Sequence, residues 1–291
     1  MSKKMKVAII GSGNIGTDLM IKTLRSPYLE CALLAGRNLN SLGMKRAASL
    51  GVYISDKSID EIKDNPDCCD LVFDATSALD HQRHWLVLRA LGKAVIDMTP
   101  SMIGNIIIPS VNIDDVSKYD NVNMISCGGQ ASIPLAYAIS TIQKNIEYIE
   151  VVSRIASKSA GPGTRINIDE YVDNTENGLK FFTGCDNVKA VLVINPAEPC
   201  IDMQTTISLK INNPDMRAVT NVVNRMVNKI RETYVSGYEL IVPPVFESNR
   251  VVMIVRIRGL GDYLPPYAGN LDIINCAAIA VAERYAKLKY A

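Results

Sequence analysis

Six residues near the start, Gly11-Ser-Gly-Asn-Ile-Gly16, restrict this chain more than any others. They follow a short apolar run at 6–10 and open a stretch, 14–24, whose apolar residues recur at helical spacing. In that setting each glycine has a mechanical reason. Gly11 allows a tight turn, Gly13 lets a pyrophosphate approach bare backbone, and Gly16 lets the helix pack closely on the strand. The free N–H groups and dipole of the helix N-terminus favour the phosphates' negative charge. Ser12, Asn14 and Ile15 stand between these glycines. A Gly-rich turn in a fold that has lost its ligand is the alternative. The strand before, the helix after and the N-terminal position favour a dinucleotide.

The rest of the first half repeats the same unit. Apolar runs at 31–35, 71–73, 94–96 and 122–125 predict strands, and the spacing at 42–50, 79–91 and 131–143 predicts helices. Repeated β-α units fold as a doubly wound parallel sheet. The rhythm then changes. Strand-like segments at 149–155, 190–194, 206–211, 239–242 and 251–257 are interrupted by only two good helices, 167–177 and 216–233. Fewer crossovers predict a mixed or antiparallel sheet with helices on one side. A final helix is expected at 270–288. The predicted fold class is α/β. A Rossmann domain (1–127 plus 265–291) would carry an inserted α/β substrate and dimerisation domain (128–264).

Several function classes fall away on composition. A formal net charge of +1 gives no electrostatic footprint for nucleic acid or an anionic membrane. No apolar run approaches the ~20 residues that span a bilayer. The N-terminal Met1-Ser-Lys-Lys-Met-Lys leads straight into a strand, so no signal peptide is expected. The seven cysteines are scattered, without zinc-like spacing, which suits a reducing cytoplasm.

Two features bear on the choice of dinucleotide. An NAD enzyme often has Asp or Glu after the second strand to hold the ribose 2′-hydroxyl. This chain has Arg37-Asn38 instead. Arg37 can pair with a 2′-phosphate, so NADP use or dual use is expected, unless Arg37 is only a solvated loop residue. Asp74-Ala-Thr-Ser77 follows another strand. Thr76 can line the nucleotide cleft, and Thr76 or Ser77 can cap the next helix.

Cys127 stands apart from the other thiols. It lies in Met124-Ile-Ser-Cys-Gly-Gly-Gln-Ala-Ser-Ile-Pro134, where a strand pattern stops and a helical one starts. A thiol at a helix N-terminus sees the positive end of the macrodipole, which favours thiolate. Gly128 and Gly129 would leave backbone N–H groups bare to hold an oxyanion. The remaining cysteines read as small core or semi-buried residues, with Cys68 and Cys69 in a charged turn. A Cys–His pair is the usual activating arrangement. Both histidines, His81 and His84, fall on the helix in the first half, where HxxH reads as a solvated face. Neighbouring hydrogen bonds must therefore assist the thiol.

One further loop carries chemistry. Ser159, Ala160, Gly161, Pro162, Gly163, Thr164, Arg165, Ile166 and Asn167 form a Gly-Pro-Gly turn followed by a helix. It can offer backbone N–H groups and an amide to a cofactor or oxyanion, or serve as a rigid turn with a helix cap. Asn270, opening the last helix, can cap it, contact the cofactor, or both.

Together these motifs resemble the acylating acetaldehyde dehydrogenases. The resembling segments are GSGNIG at 11–16, VFDATSA at 72–78, NVNMISCGGQASIP at 121–134, SKSAGPGTRINIDE at 157–170, NPAEP at 195–199 and YAGNLDI at 267–273. They run in family order over nearly the whole chain. The resemblance implies that acetaldehyde or a short aldehyde, NAD and coenzyme A give acyl-CoA, reversibly, through a thioester on Cys127. It implies dinucleotide contacts from Ser12 to Ile15, Ser159 to Asn167 and Asn270, with Asn167 also polarising the reacting oxygen. It implies a homodimer and, as partner, a 4-hydroxy-2-oxovalerate aldolase of aromatic meta-cleavage catabolism. The nicotinamide would lie above Cys127 in a cleft between the domains. The family usually has an Asp shortly after NPAEP where this chain has Thr205 beside Gln204, and Asp202 faces the other way in a strand. The family also usually has an acidic residue at Arg37-Asn38, and the segment between Val242 and Val251 is shorter than usual.

Three alternatives stand beside this reading. One is a hydrolytic or phosphorylating aldehyde or semialdehyde dehydrogenase, against which the missing second-half histidine counts. Another is a catalytically weak NAD(P)-binding subunit that gates an aldolase. The last is an acyl-thioester reductase with a different substrate.

Overall fold

The computed structural model describes residues 3–290. The chain forms two compact units. The first comprises the residues up to Met124, Asp262–Leu264 and the residues from Asn275 on; the second comprises Ile125–Gly261 and Pro265–Ile274.

The first unit is the predicted doubly wound sheet. Its elements are β1 (Met5–Ile10), α1 (Asn14–Arg25), β2 (Leu29–Ala35), α2 (Leu42–Ser49), β3 (Ile54–Ser55), α3 (Ile59–Asp64), β4 (Leu71–Asp74), α4 (Ala78–Ala90), β5 (Ala94–Asp97), β6 (Asn105–Ile106), α5 (Pro109–Asn112) and β7 (Asn121–Asn123). The strand order is β3-β2-β1-β4-β5-β7-β6, with every pairing parallel. Continuous apolar strands match a sheet buried on both faces. On one face Ala8, Ile10, Leu33, Ala35, Val72 and Val95 pack with Ile62 of α3 and Leu88 of α4. Cys69 joins that core and Cys68 packs against it, so this pair belongs to packing rather than to a charged turn. The order reverses between β1 and β4, which is where a doubly wound sheet opens a ligand crevice.

The fingerprint glycines sit at this point. Gly11 has φ +110°, and a Cβ on it would come 2.5 Å from the Ala75 carbonyl oxygen. A Cβ on Gly16 would strike the Gly11 carbonyl oxygen. Around Gly13 a Cβ would meet nothing within 4 Å. Two glycines are therefore required by packing, and the third leaves open space at the first turn of α1.

Helix α4 corrects an expectation. His81 and His84 are not a solvated face. Both are buried, and each Nδ1 lies 2.9 Å from Oδ2 of Asp74. Leu79 (61% exposed) and Leu86 (70%) take the solvent side instead. The His81 Nε2 lies 3.2 Å from the Asn121 amide and 3.5 Å from Asp97. Burial opposes charge on His81, but the Asp74 hydrogen bond and Asp97 raise its pKa. Burial also opposes the Asp74 carboxylate, and the two histidines nonetheless hold its pKa well below the ordinary value.

The second unit contains α6 (Cys127–Ile142), β8 (Ile146–Ala156), α7 (Pro162–Ile166), α8 (Ile168–Thr183), β9 (Val188–Asn195), β10 (Met203–Ile211), α9 (Met216–Thr233), β11 (Tyr238–Glu247), β12 (Arg250–Ile257) and the start of α10 (Gly269–Tyr290). Its sheet runs β11-β12-β10-β8-β9, antiparallel except for β8 and β9. Burial alternates along the strands, as a period of two requires: Val151, Ser153, Thr205, Ile207, Val251 and Met253 are buried, and α6, α8 and α9 pack against the sheet. The intervening Val152, Thr206, Val252 and Ile254 are half-exposed. This is the mixed sheet that the sequence predicted. Among the described residues no helix is long and apolar enough to cross a membrane.

Candidate active site

The turn before Cys127 is tighter than a strand running to 125 would allow. Strand β7 ends at Asn123, and Ile125 takes a left-handed φ of 58°. A β-branched residue there is strained by about 1–3 kcal/mol and persists only where its surroundings hold it. The Ile125 side chain is held against Gly178 of α8, where a Cβ would collide with its Cδ1, and against Gly129. Ser126 is then the N-cap of α6, its Oγ accepting from the Gly129 N–H at 2.9 Å. The same Oγ shares a 2.7 Å hydrogen bond with Thr175 of α8.

Cys127 is the first residue of α6, and its neighbours differ from those expected. The glycines are not bare. Gly129 gives its N–H to the cap, and a Cβ on Gly128 would strike the Tyr171 hydroxyl and lie 2.8 Å from Ser153 Oγ. The sulfur keeps partial exposure, yet it is packed closely enough that burial pushes the thiol up to about 11. Tyr171 and the backbone N–H groups of Gly128 and Cys127 act in the opposite direction. The resting group at neutral pH is thus a thiol, because desolvation outweighs the helix terminus. Of the two expected oxyanion donors the Gly128 N–H remains, and the Cys127 N–H stands beside it in place of Gly129.

Tyr171 is the neighbour of Cys127 that sequence reasoning missed. It is 8% exposed, and its hydroxyl has no partner of normal hydrogen-bond geometry, although it lies against Gly128, Ser153 and the thiol. Burial, then the nearby Cys127, hold its pKa well above the ordinary phenol value. The available signal was helical spacing: Tyr171, Asn174, Thr175, Gly178 and Leu179 form the buried face of α8. Beyond Tyr171, Ser153 Oγ and Thr205 Oγ1 are 3.0 Å apart on directly paired residues of β8 and β10. Thr205 is fully buried, a neutral hydroxyl inside the unit.

The nucleotide candidates of the first unit line a cleft of about 390 Å³. Gly11, Ser12, Gly13, Arg37, Thr76 and His84 are among its walls. Arg37 and Asn38 are exposed at its rim. Ser12 Oγ meets Ser41 Oγ at 3.1 Å. Gly16 packs inside, behind the turn, and Asn14 and Ile15 open α1. Ser77, not Thr76, caps α4 by accepting from the Asp80 N–H; Thr76 bonds Asp74. Open space at Gly13 beside a helix N-terminus fits a pyrophosphate.

The loop at 157–167 is largely bonded to itself. The Ser159 hydroxyl donates to the Ala156 carbonyl, and Arg165 spends its guanidinium on the Ala160 and Ser157 carbonyls. Asn167 donates its amide to the Gly163 carbonyl at 2.7 Å and makes no side-chain cap on α8. Ala160 is buried, Thr164 half-buried and Ile166 exposed, while Gly161 and Gly163 have open space where a Cβ would be. The Pro162 side chain lies outside the described residues. Asn270 is buried in the first turn of α10, and its Oδ1 has no hydrogen-bond partner.

Residues 127–265 match the model of a family described as prokaryotic acetaldehyde dehydrogenase, dimerisation. Over its full length the chain is 57% identical to an acetaldehyde dehydrogenase from Pectobacterium atrosepticum, covering 98% of that protein. The chain belongs to the acetaldehyde dehydrogenase family. An acetaldehyde dehydrogenase from Spirochaeta aurantia is 53% identical over 98% of the chain and 96% of its own length. One from Bacillus cereus is 47% identical over 98% and 94%. As a member of the acetaldehyde dehydrogenase family the protein is an aldehyde-acting oxidoreductase, and the dimerisation match supports a homodimer.

The fold extends further than the family. An aspartate semialdehyde dehydrogenase with NADP from Candida albicans superposes with a TM-score of 0.68 at 15% identity, covering 99% of both chains. Aspartate semialdehyde dehydrogenase II complexed with ASA, from Vibrio cholerae, gives 0.66 at 12% identity over 98% and 99%. These likenesses establish a shared dehydrogenase architecture for this acetaldehyde dehydrogenase relative.

Proposed function

We propose that this family member is a coenzyme A-acylating aldehyde dehydrogenase that works through a thioester on Cys127. The observation that carries the reading is the placement of Cys127: a partly exposed thiol at the first position of α6, facing two backbone N–H groups. The cysteine S–H adds across the aldehyde C=O, forming the S–C bond and leaving the thiol proton on oxygen or in solvent. The N–H groups of Cys127 and Gly128 stabilise the charge that grows on that oxygen. A bound nicotinamide would supply the acceptor for the electron pair and hydrogen that leave the aldehyde carbon, and a proton held on the oxygen would pass to solvent. Cys127 then holds the acyl group as a thioester. The thiol of coenzyme A attacks its carbonyl, and Cys127 leaves and regains a proton. Acetaldehyde, or another short aldehyde, is the proposed substrate.

For the dinucleotide, the Gly11–Gly16 turn would hold the pyrophosphate, and Arg37 at the rim would reach a ribose 2′-phosphate. We place NADP, or both NAD and NADP, ahead of NAD alone on that account. The open glycines of 159–167 and the unpartnered Asn270 Oδ1, an acceptor for an amide N–H, are proposed as further contacts. Asn167 would assist the reacting oxygen only by releasing its bond to Gly163. The proposed division is a nucleotide-binding part (1–127 with 265–291) and a catalytic and dimerisation part (128–264). A 4-hydroxy-2-oxovalerate aldolase is the proposed partner, and the cytoplasm the proposed location.

The deciding experiment is reduced-nicotinamide absorbance with acetaldehyde and coenzyme A, comparing NAD with NADP and wild type with Cys127→Ala. Turnover that requires coenzyme A and vanishes in the variant is expected. Full turnover in Cys127→Ala would refute the thioester route.

A further inference from the structure

The groups that act on the Cys127 sulfur include two backbone N–H groups and one phenol, all neutral. A neutral site must still stabilise a sulfur anion when the thiol reacts. A neutral thiol is a poor hydrogen-bond acceptor and a thiolate a good one. Tyr171 reflects that difference. Its hydroxyl is buried against Gly128, the residue after Cys127, and has no geometrically sound partner at rest. Its position is fixed by Gly128, whose missing side chain leaves the space it fills, and by α8, whose Thr175 hydroxyl donates to the Tyr171 carbonyl at 2.7 Å. Behind it stand Ser153 and Thr205, paired at 3.0 Å across β8 and β10.

We infer that Tyr171 is a catalytic hydrogen-bond donor to the Cys127 sulfur in its anionic form, backed by a row of hydroxyls in which Thr205 donates to Ser153 and Ser153 to Tyr171. The inference rests on the reading of Cys127 as nucleophile. The row takes up no proton. As the S–C bond forms, the S–H bond breaks and its proton goes to the aldehyde oxygen or to solvent, while each hydroxyl keeps its own hydrogen and turns it toward the sulfur. Aligned hydroxyls polarise one another, so the donor at the end of a chain is stronger than an isolated one. The bond exists only once charge has developed, so it favours the reacting state over the resting one.

The test is the pH dependence of iodoacetamide alkylation at Cys127 in the full-length protein. Peptide mapping separates Cys127 from the other thiols, and Cys127→Ala serves as the blank. Tyr171→Phe should move the alkylation midpoint upward by about one to two pH units, the size of a hydrogen bond to a charged group. It should do so without lowering the melting temperature, since the hydroxyl it removes has no partner in the resting fold. Thr205→Val should move the midpoint in the same direction by less. An unmoved midpoint in Tyr171→Phe would overturn the donor role. A Thr205→Val midpoint equal to wild type would overturn the row. Turnover measured alongside separates this from the wider reading: an inactive Cys127→Ala with an unmoved Tyr171→Phe midpoint removes the donor and leaves the nucleophile in place.

Discussion

The Tyr171 hydroxyl occupies the space that a side chain on Gly128 would need. The glycine after Cys127 is thus required by a phenol from another helix.

Gly128→Ala should therefore be severe. The new methyl meets Tyr171 Oη and Ser153 Oγ, neither of which is the loose end of a flexible chain. Overpacking of this kind costs about 1–3 kcal/mol. A drop in melting temperature is expected together with at least a tenfold loss in kcat. Calorimetry and steady-state rates check both, and a stable, fully active variant would show that the phenol's position is unimportant.

The fingerprint glycines should separate into two kinds. Gly11→Ala and Gly16→Ala place a methyl into the backbone of Ala75 and Gly11, so both should fold poorly. Gly13→Ala meets nothing within 4 Å and should keep its stability within about 0.5 kcal/mol. Its effect should fall on the dinucleotide, as a KM raised at least tenfold with the melting temperature unchanged. Isothermal titration with the dinucleotide would check this in the absence of turnover.

Arg37 gives a test of cofactor choice. It is exposed at the cleft rim, so Arg37→Ala should not alter folding. The expected result is kcat/KM for NADP reduced about tenfold or more, with the NAD value changed far less. Equal losses with both dinucleotides would assign Arg37 to the solvated loop.

The buried histidine pair predicts a pH-dependent stability. His81 has a folded pKa raised above 6.5, so its contribution is complete below that value and is lost as pH rises through the raised one. Asp74 is held below 3.8, so its contribution is present above that value and is lost as pH falls through the depressed one. Thermal melts of wild type against His81→Gln should differ most near pH 5–6, roughly the lower side of the histidine range, and converge in alkali. A difference that grows with pH would reverse the assignment.

Periodicity was a good guide where packing decides structure. The helix Met216–Thr233 was legible to the residue, and the cores of β1, β4, β5 and β12 were legible as apolar runs. It misled where polar groups pay no heed to the apolar pattern. Helix α4 buries two histidines and exposes Leu79 and Leu86 because Asp74 supplies a partner that no spacing rule reveals. Ile125 read as the end of a strand because β-branched residues ordinarily avoid a left-handed φ; contacts with Gly178, distant in sequence, hold it there. Cys127 stood out by its glycines and its helix start, and the fold does place it at the first position of α6. Its raised pKa and the phenol beside it were not legible, since both arise from long-range packing of α8 on α6.

Ser126, Cys127, Gly128, Ser153, Tyr171, Thr175 and Thr205 all lie in the second compact unit, whereas the fingerprint glycines and Arg37 all lie in the first. Cys127 and the hydroxyls around it therefore form a cassette within one unit. Under the proposed function, substitutions at Arg37 and the fingerprint glycines act on dinucleotide choice from one unit, and substitutions at position 205 act on the sulfur's surroundings from the other.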